Sequence, residues 1–406
     1  MEERLDISVG YEDGSPRITV VGVGGAGCNT IGILAEKEVE GVRLVAINTD
    51  RYSLASSRAH VKIQIGESMT RGVGTGGDPE KGREAAQKDS DKIQAALEET
   101  DVLFIAAGLG GGTGTGASPV VADLARENRI LTIAFAIMPF DFEGPQTKKK
   151  AERGLEELRE KVDAIMVALN SNIKNGDLTR PPKEAFREID QLLYNAVVAL
   201  RDVILKPSDM RLDLSDIKAK LSGKGKTIIG VGEGTGENRI EEALEKALHS
   251  PILERNNIRG AQSILLHIAL GPDTDLKSMF SIVEAVISEA KDKFPDINPD
   301  LKMGYLQSED MEGRVRVTVI ATDFEEKETG GTMKEEELVK VSTSPGPMST
   351  SRVDLPEEPE VEEDYFPFGP PIKKNKKKKQ NVIRIPDRTE KDGLLFQEGE
   401  EDEEKI

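Results

Sequence analysis

Two parts of this chain carry residue types suited to chemistry: a glycine and threonine run from Gly108 to Gly116, and an acidic pair, Asp213 and Asp216. The run reads Gly-Leu-Gly-Gly-Gly-Thr-Gly-Thr-Gly. Glycines allow positive φ and let a ligand approach the main chain, and successive N–H groups at a helix start offer donors to an anion. Phosphate is the guest that suits such a loop. Two carboxylates can orient a water or a hydrated magnesium ion for attack on a phosphate. Asp213 or Ser215 would equally cap the helix turn that follows. Phe186 and Asp190 lie four apart, on one side of a helix. A ring can stack on a base, and a carboxylate can accept from guanine N1–H and the 2-amino group. Adenine would leave that carboxylate unpaired, at a cost of ~1–3 kcal/mol. As a bare pair, such residues are more often core plus surface.

These residues need elements to hold them. The apolar run at 102–107 reads as a buried parallel strand, and the spacing of Ala117, Val120, Val121 and Leu124 reads as a helix. The glycine loop therefore sits at a strand's carboxyl end, where open α/β sheets bind ligands. Further strands are expected at 18–21, 44–47, 61–65, 130–137 and 165–169, and a long helix at 183–205. A later set follows, with strands at 227–231, 264–269, 303–306 and 315–321 and helices at 240–248 and 276–291; 232–239 reads as a turn. The fold class is α/β: a doubly wound, mostly parallel sheet, a long central helix and a second, smaller α/β domain. The expected boundaries are a flexible arm at 1–16, a nucleotide domain at 17–182, the central helix and acidic loop at 183–216, the smaller domain at 217–324 and a disordered tail at 325–406.

Composition narrows the function. A net charge of −19 argues against nucleic-acid binding by the body of the chain. The single cysteine, Cys28, and three scattered histidines supply neither a disulfide nor a metal-ligand set, so no metal site is expected and a reducing, cytoplasmic setting fits. Cys28 reads as a small packing residue. No apolar stretch is long enough to span a membrane, and 1–17 has no hydrophobic signal region. Gly22, Gly24 and Gly27 have the GxGxxG spacing of a dinucleotide site, and Asp50 lies about where its acidic partner belongs. An NAD-dependent oxidoreductase thus stays open. No Walker A sequence is present; the nearest, 220–227, has lysine where the first glycine must stand. In the tail, Lys373 to Lys379 form a basic cluster, 381–386 a short apolar island and 398–404 an acidic end. Lysines of this kind favour an anionic membrane surface, and 373–386 suits a partner peptide.

The run Gly110-Gly111-Gly112-Thr113-Gly114-Thr115-Gly116 resembles the signature loop of the tubulin/FtsZ superfamily, and its surroundings resemble FtsZ over about 17–324. That resemblance implies a GTPase that binds GTP or GDP and assembles head to tail into the filaments of a division ring. It implies that Gly24, Gly25 and Asn29 approach the phosphates and that the 72–79 loop, with Gly74, lies near the γ-phosphate. The Pro139-Phe140-x-x-Glu143-Gly144 loop would hold the ribose. Thr147 stands where the family has arginine, with Lys148 beside it as a partial substitute. Asn170 would contact guanine, and the family register brings in Phe186 and Asp190. Asp213 and Asp216 match the loop that reaches the next subunit's nucleotide; Arg211 replaces the family's asparagine and is assigned to the catalytic set as a phosphate-stabilising cation. Arg211 and Thr147 also motivate a variant reading, a filament protein that binds GTP and hydrolyses it weakly. Division or membrane-anchoring proteins are the partners expected for the tail.

Overall fold

A computed structural model describes residues 15–175, 181–206, 208–210, 212–221, 225–249 and 257–324. The expected arm, apart from 15 and 16, and the tail at 325–406 with its basic cluster and 381–386 island lie outside these residues, as does Arg211.

Apolar runs set the first sheet. Its strands are β1 (Ile18–Val23), β2 (Val42–Asn48), β3 (Val61–Gln64), β4 (Val102–Gly108), β5 (Leu131–Met138), β6 (Ala164–Leu169) and β7 (Gly225–Lys226). They run in the order β3-β2-β1-β4-β5-β6-β7, and every pairing is parallel. Side chains alternate across the pleat. Ile18, Val20, Phe104 and Phe135 enter one core, whereas Val21, Val23, Ile105 and Ala134 enter the other. Both faces are thus covered, which is why the central strands β1, β4, β5 and β6 read as largely apolar runs. The chain order reverses between β1 and β4. A crevice opens there at the carboxyl ends of the strands, the usual ligand position in such sheets.

Helix Pro182–Leu205 lies across one face, burying Ile189, Leu193, Val197, Leu200 and Ile204. The same core takes in Ile264, Leu266, Val317 and Val319 of a second sheet. That sheet contains β8 (Ile228–Thr235), β9 (Ala261–Leu270), β10 (Asp300–Gln307) and β11 (Arg314–Phe324), in the order β10-β9-β11-β8, and it is mixed. Helices Arg239–Leu248 and Leu276–Lys291 accompany it, making the smaller α/β part.

Two details depart from expectation. The 232–235 stretch is strand, and only the residues after it turn. Gly230, Gly232 and Gly234 share one face of β8, where a Cβ would overlap the backbone of helix Arg239–Leu248. Alternate glycines let the helix lie directly on the strand, so the run is a packing device with the period of a strand. Gly225 and Lys226 pair with β6 of the first sheet, although 217 was expected to begin the smaller domain.

Candidate nucleotide site

A cleft of ≈ 360 Å³ opens at the β1/β4 reversal. Gly25, Gly76, Gly77, Gly111 and Gly112 line it, together with Thr75, Pro139, Glu143 and Asn170. Two helices begin at its floor, Gly24–Thr30 after β1 and Thr113–Glu127 after β4. Neither has a side-chain cap or an acidic residue in its first turn, so their leading N–H groups stay available to an anion. A Cβ on Gly24, at φ +73°, would come 2.7 Å from the nitrogen of Gly114, so the two helix starts touch.

The glycines fall into two kinds. A Cβ on Gly112 would overlap Thr75, on Gly114 the carbonyl of Gly108, and on Gly116 that of Pro79. These positions need glycine so that backbones can meet. Gly110, at φ +102°, packs under Thr147 and donates its N–H to Thr115 Oγ1 at 2.8 Å. Thr113 is held by Thr49 across 2.8 Å. Gly25 and Gly111 differ: nothing lies within 4 Å of a Cβ there, and neither has positive φ. The protein itself does not require glycine at these two places. What requires it is open space against the backbone, which a bound group would fill.

Asn170 also lines the cleft, and its Oδ1 is buried and has no hydrogen-bond partner. An acceptor of this kind calls for a donor, which a ligand or an ordered water can supply. Glu143 accepts from its own loop, at the N–H of Phe140, 2.8 Å away. Phe140 stacks on Phe142 with centroids 4.8 Å apart and meets Phe186 edge-on at 5.5 Å. Phe186 and Phe142 stay exposed, an aromatic ledge suited to a base. Asp190, one turn beyond Phe186, bonds Thr30; burial is the main reason its carboxyl is pushed up to about 6. Asn29 is exposed on helix Gly24–Thr30, and Gly74 lies beside Asp50 at φ +86°; neither lines the cleft. Cys28 is packed inside, its Sγ 3.3 Å from the carbonyl of Gly22, and burial pushes the thiol up to about 12. Asp50 caps helix Arg51–Ser56 by accepting from Tyr52 and Ser53, so the acid a dinucleotide site would use on ribose is already engaged.

Neither member of the acidic pair lines the cleft: Asp213 directly precedes helix Leu214–Leu221, and Asp216 lies in its first turn. Met210 exchanges two backbone hydrogen bonds with Tyr305 of edge strand β10, each 3.2 Å, and Asp209 accepts from Gln307. Asp213 Oδ1 accepts from the N–H of Asp216 at 2.8 Å, and Asp216 returns the contact to the N–H of Asp213 at 3.2 Å. This is a reciprocal helix cap, with Lys302 of β10 paired to the outer oxygen of Asp216. The hydrogen bond from Ser215 leads the causes that hold the Asp213 carboxyl below the usual range, and its side chain is open to solvent. Phe142, Lys302 and Lys150, whose Nζ donates to the carbonyl of Gly77, were missed in the sequence. Only Phe142 had a signal there, as an aromatic within the loop that contains Glu143.

Residues 17–176 match the model of the Tubulin/FtsZ family GTPase domain, and residues 225–325 match that of the FtsZ family C-terminal domain. The cell division protein FtsZ of Aquifex aeolicus (strain VF5) is 43% identical over 314 residues, 77% of this chain and 84% of that protein. The chain belongs to the FtsZ family. Cell division protein FtsZ 2 of Rhizobium meliloti (strain 1021) is 39% identical over 311 residues, 76% of this chain and 88% of that one. Among solved structures, the empty FtsZ dimer of M. jannaschii superposes with a TM-score of 0.66 at 39% identity, covering 76% of this chain and 88% of that chain. The protofilament structure of CetZ2 from Haloferax volcanii, at 23% identity and TM-score 0.64 over 77% and 94% of the two chains, shares the fold. Among the described residues no helix is long and apolar enough to cross a membrane.

Proposed function

We propose that the chain binds GTP in the β1/β4 cleft, polymerises head to tail with itself and hydrolyses the nucleotide where two subunits meet. The observation that carries this reading is the cleft itself, lined both by open glycines and by Asn170, whose buried oxygen has no partner. The triphosphate lies against Gly25 and Gly111, taking N–H donors from both helix starts. Guanine lies on the ledge formed by Phe186 and its neighbours, with Asn170 and Asp190 reading its polar edge. Glu143 and Pro139 flank the ribose between these ends.

Magnesium fits such a site as an ion carried mainly by phosphate oxygens and water. Among the described residues no group of three or more His, Cys, Asp or Glu forms a cage for it. When bound, it neutralises charge on the transferring phosphoryl group. Asp213 and Asp216 of the next subunit hold the attacking water and its surroundings. Water attacks the γ-phosphorus, the bond to the bridging oxygen breaks, and GDP and phosphate leave. Completing the site in this way couples turnover to assembly. Head-to-tail contacts use two different surfaces and extend without closing. Both rims carry exposed apolar side chains suited to burial: Val73 beside the cleft and Met210 beside the acidic loop. The solved dimer of the M. jannaschii relative supports self-association.

By family likeness the filaments serve a division ring in the cytoplasm, with Lys373–Lys379 and 381–386 addressing a membrane-anchoring partner or anionic lipid. A second reading, GTP binding with weak hydrolysis, draws support from Lys302, which already occupies Asp216. Pelleting with GTP, GDP and ATP, with phosphate measured in the same tubes, tests both. GTP-selective pelleting with phosphate release rising steeply with protein concentration is expected. Pelleting without release favours the second reading, and neither pelleting nor release refutes both.

A further inference from the structure

The residues lining the cleft include one charged side chain, Glu143, and no cation. A triphosphate brings more negative charge than one magnesium ion offsets, and backbone donors add no full charge. The nearby helix Pro145–Arg159 carries three consecutive lysines, Lys148 to Lys150, after Thr147. Thr147 is spent on packing: its methyl abuts Gly110 and its hydroxyl donates to the carbonyl of Glu143 at 2.9 Å. Lys148 and Lys149 are exposed to solvent.

Lys150 is different. It lies one helical turn beyond Thr147, on the same side of the helix, and is half-buried. Its Nζ donates to the carbonyl of Gly77, 2.6 Å away, in the wall of the cleft. Among the described residues no carboxylate pairs with it, and the positions one turn away along the helix, Gln146, Thr147, Arg153 and Gly154, are not acidic. An ammonium has three donors, and one neutral carbonyl satisfies one of them. By contrast, the neighbouring cation Arg83 is neutralised by Glu157 and Glu80. Gly76 and Gly77, like Gly111, have open space where a Cβ would stand, so a phosphate can lie against this wall within reach of the lysine.

We propose that Lys150 reads the terminal phosphate of the bound nucleotide and sets the preference for triphosphate over diphosphate. This rests on the reading that the cleft takes a guanosine nucleotide. Gly77 holds the ammonium at the glycine end of the cleft, and its remaining donors meet the terminal phosphoryl oxygens. Because Lys150 also ties the 75–77 wall to the helix, terminal-phosphate binding is linked to the position of that wall.

The test uses the full chain below its assembly concentration, with fluorescent GDP and a fluorescent non-hydrolysable GTP analogue titrated against wild type, Lys150→Gln and Lys150→Arg. Gln keeps a donor and loses the charge, whereas Arg keeps the charge. Loss of one charge-assisted contact is expected to weaken the triphosphate analogue about tenfold in Lys150→Gln and to leave GDP unchanged. Lys150→Arg is expected to retain most of the preference, and the preference in wild type should weaken with salt more than in Lys150→Gln. Equal loss for both nucleotides would mean that Lys150 merely braces the wall, and no loss for either would mean that it faces solvent; each overturns the proposal while the guanosine reading stands. A wild-type chain that binds neither nucleotide overturns that reading, and the proposal with it.

Discussion

Replacing Gly111 by alanine separates the fold of the signature loop from its proposed use. The new Cβ meets nothing within 4 Å, and the residue has no positive φ, so the protein accommodates it without a clash or backbone strain. Losing a glycine lowers the entropy of the unfolded chain, which stabilises by ~0.4–1 kcal/mol when the native backbone is compatible. In nucleotide-free protein the thermal midpoint is therefore expected to stay level or rise by about 1–3 °C. Nucleotide binding should respond in the opposite sense. The methyl group stands where a phosphate oxygen would approach the main chain, and one lost hydrogen bond to a charged group costs about 1.5–3 kcal/mol, roughly ten- to hundredfold in affinity. Gly112→Ala supplies the contrast: its Cβ overlaps Thr75 and lies 2.7 Å from the carbonyl of Asp78, so it should cost stability by about 1–3 kcal/mol. Differential scanning fluorimetry and titration with fluorescent GTP measure both effects on the same samples. A Gly111→Ala protein that binds GTP as tightly as wild type, or that unfolds early, refutes the reasoning.

Other residues give shorter tests. The Asp190 carboxyl, raised to about 6 chiefly by burial, binds a proton in the folded chain over a pH range where the unfolded chain has released it. Stability should consequently fall as pH rises from about 4 through about 6, and Asp190→Asn should be more stable at pH 7 while losing its preference for GTP over ATP; thermal melts across pH and competition binding check the two halves. Lys302→Ala frees the outer oxygen of Asp216 and is expected to raise turnover severalfold at unchanged nucleotide affinity, so a fall in turnover would show that Lys302 positions the acid rather than restrains it. Cys28, 4% exposed with its thiol pushed up to about 12, should resist alkylation at pH 8 in native protein and react fully in denaturant, as mass spectrometry would report.

What could be read from the sequence follows from the physics of each part. Both faces of the first sheet are covered, so its main strands announce themselves as apolar runs, and the signature loop is marked by its position after 102–107. The two-residue strand Gly225–Lys226 has no apolar signal and exists because β6 offers it an edge. Gly232 and Gly234 look like a turn when composition alone is read; their spacing of two from Gly230 becomes meaningful only with the backbone of helix Arg239–Leu248 beside them. At the acidic loop, capping was legible because Asp213 and Ser215 are cap-forming residue types ahead of a helix turn; that Asp216 returns the contact shows only in the structure. Lys302 was not legible, since it arrives from a strand distant in sequence. Likewise nothing local distinguishes Lys150 from Lys148 and Lys149; its direction on the helix and the carbonyl of Gly77 do.

The central claim is that one subunit's acids act on another subunit's nucleotide, and mixing two disabled proteins tests it most directly. Gly111→Ala keeps the acidic loop and, at GTP well below its weakened affinity, stays largely empty, while Asp213→Ala keeps the nucleotide and lacks the acid. Phosphate release is measured for each alone and for the equimolar mixture. Each alone is expected to be nearly inactive, and the mixture is expected to recover a substantial part of wild-type turnover. A mixture as inactive as its components, or an Asp213→Ala protein that turns over normally by itself, would contradict the account.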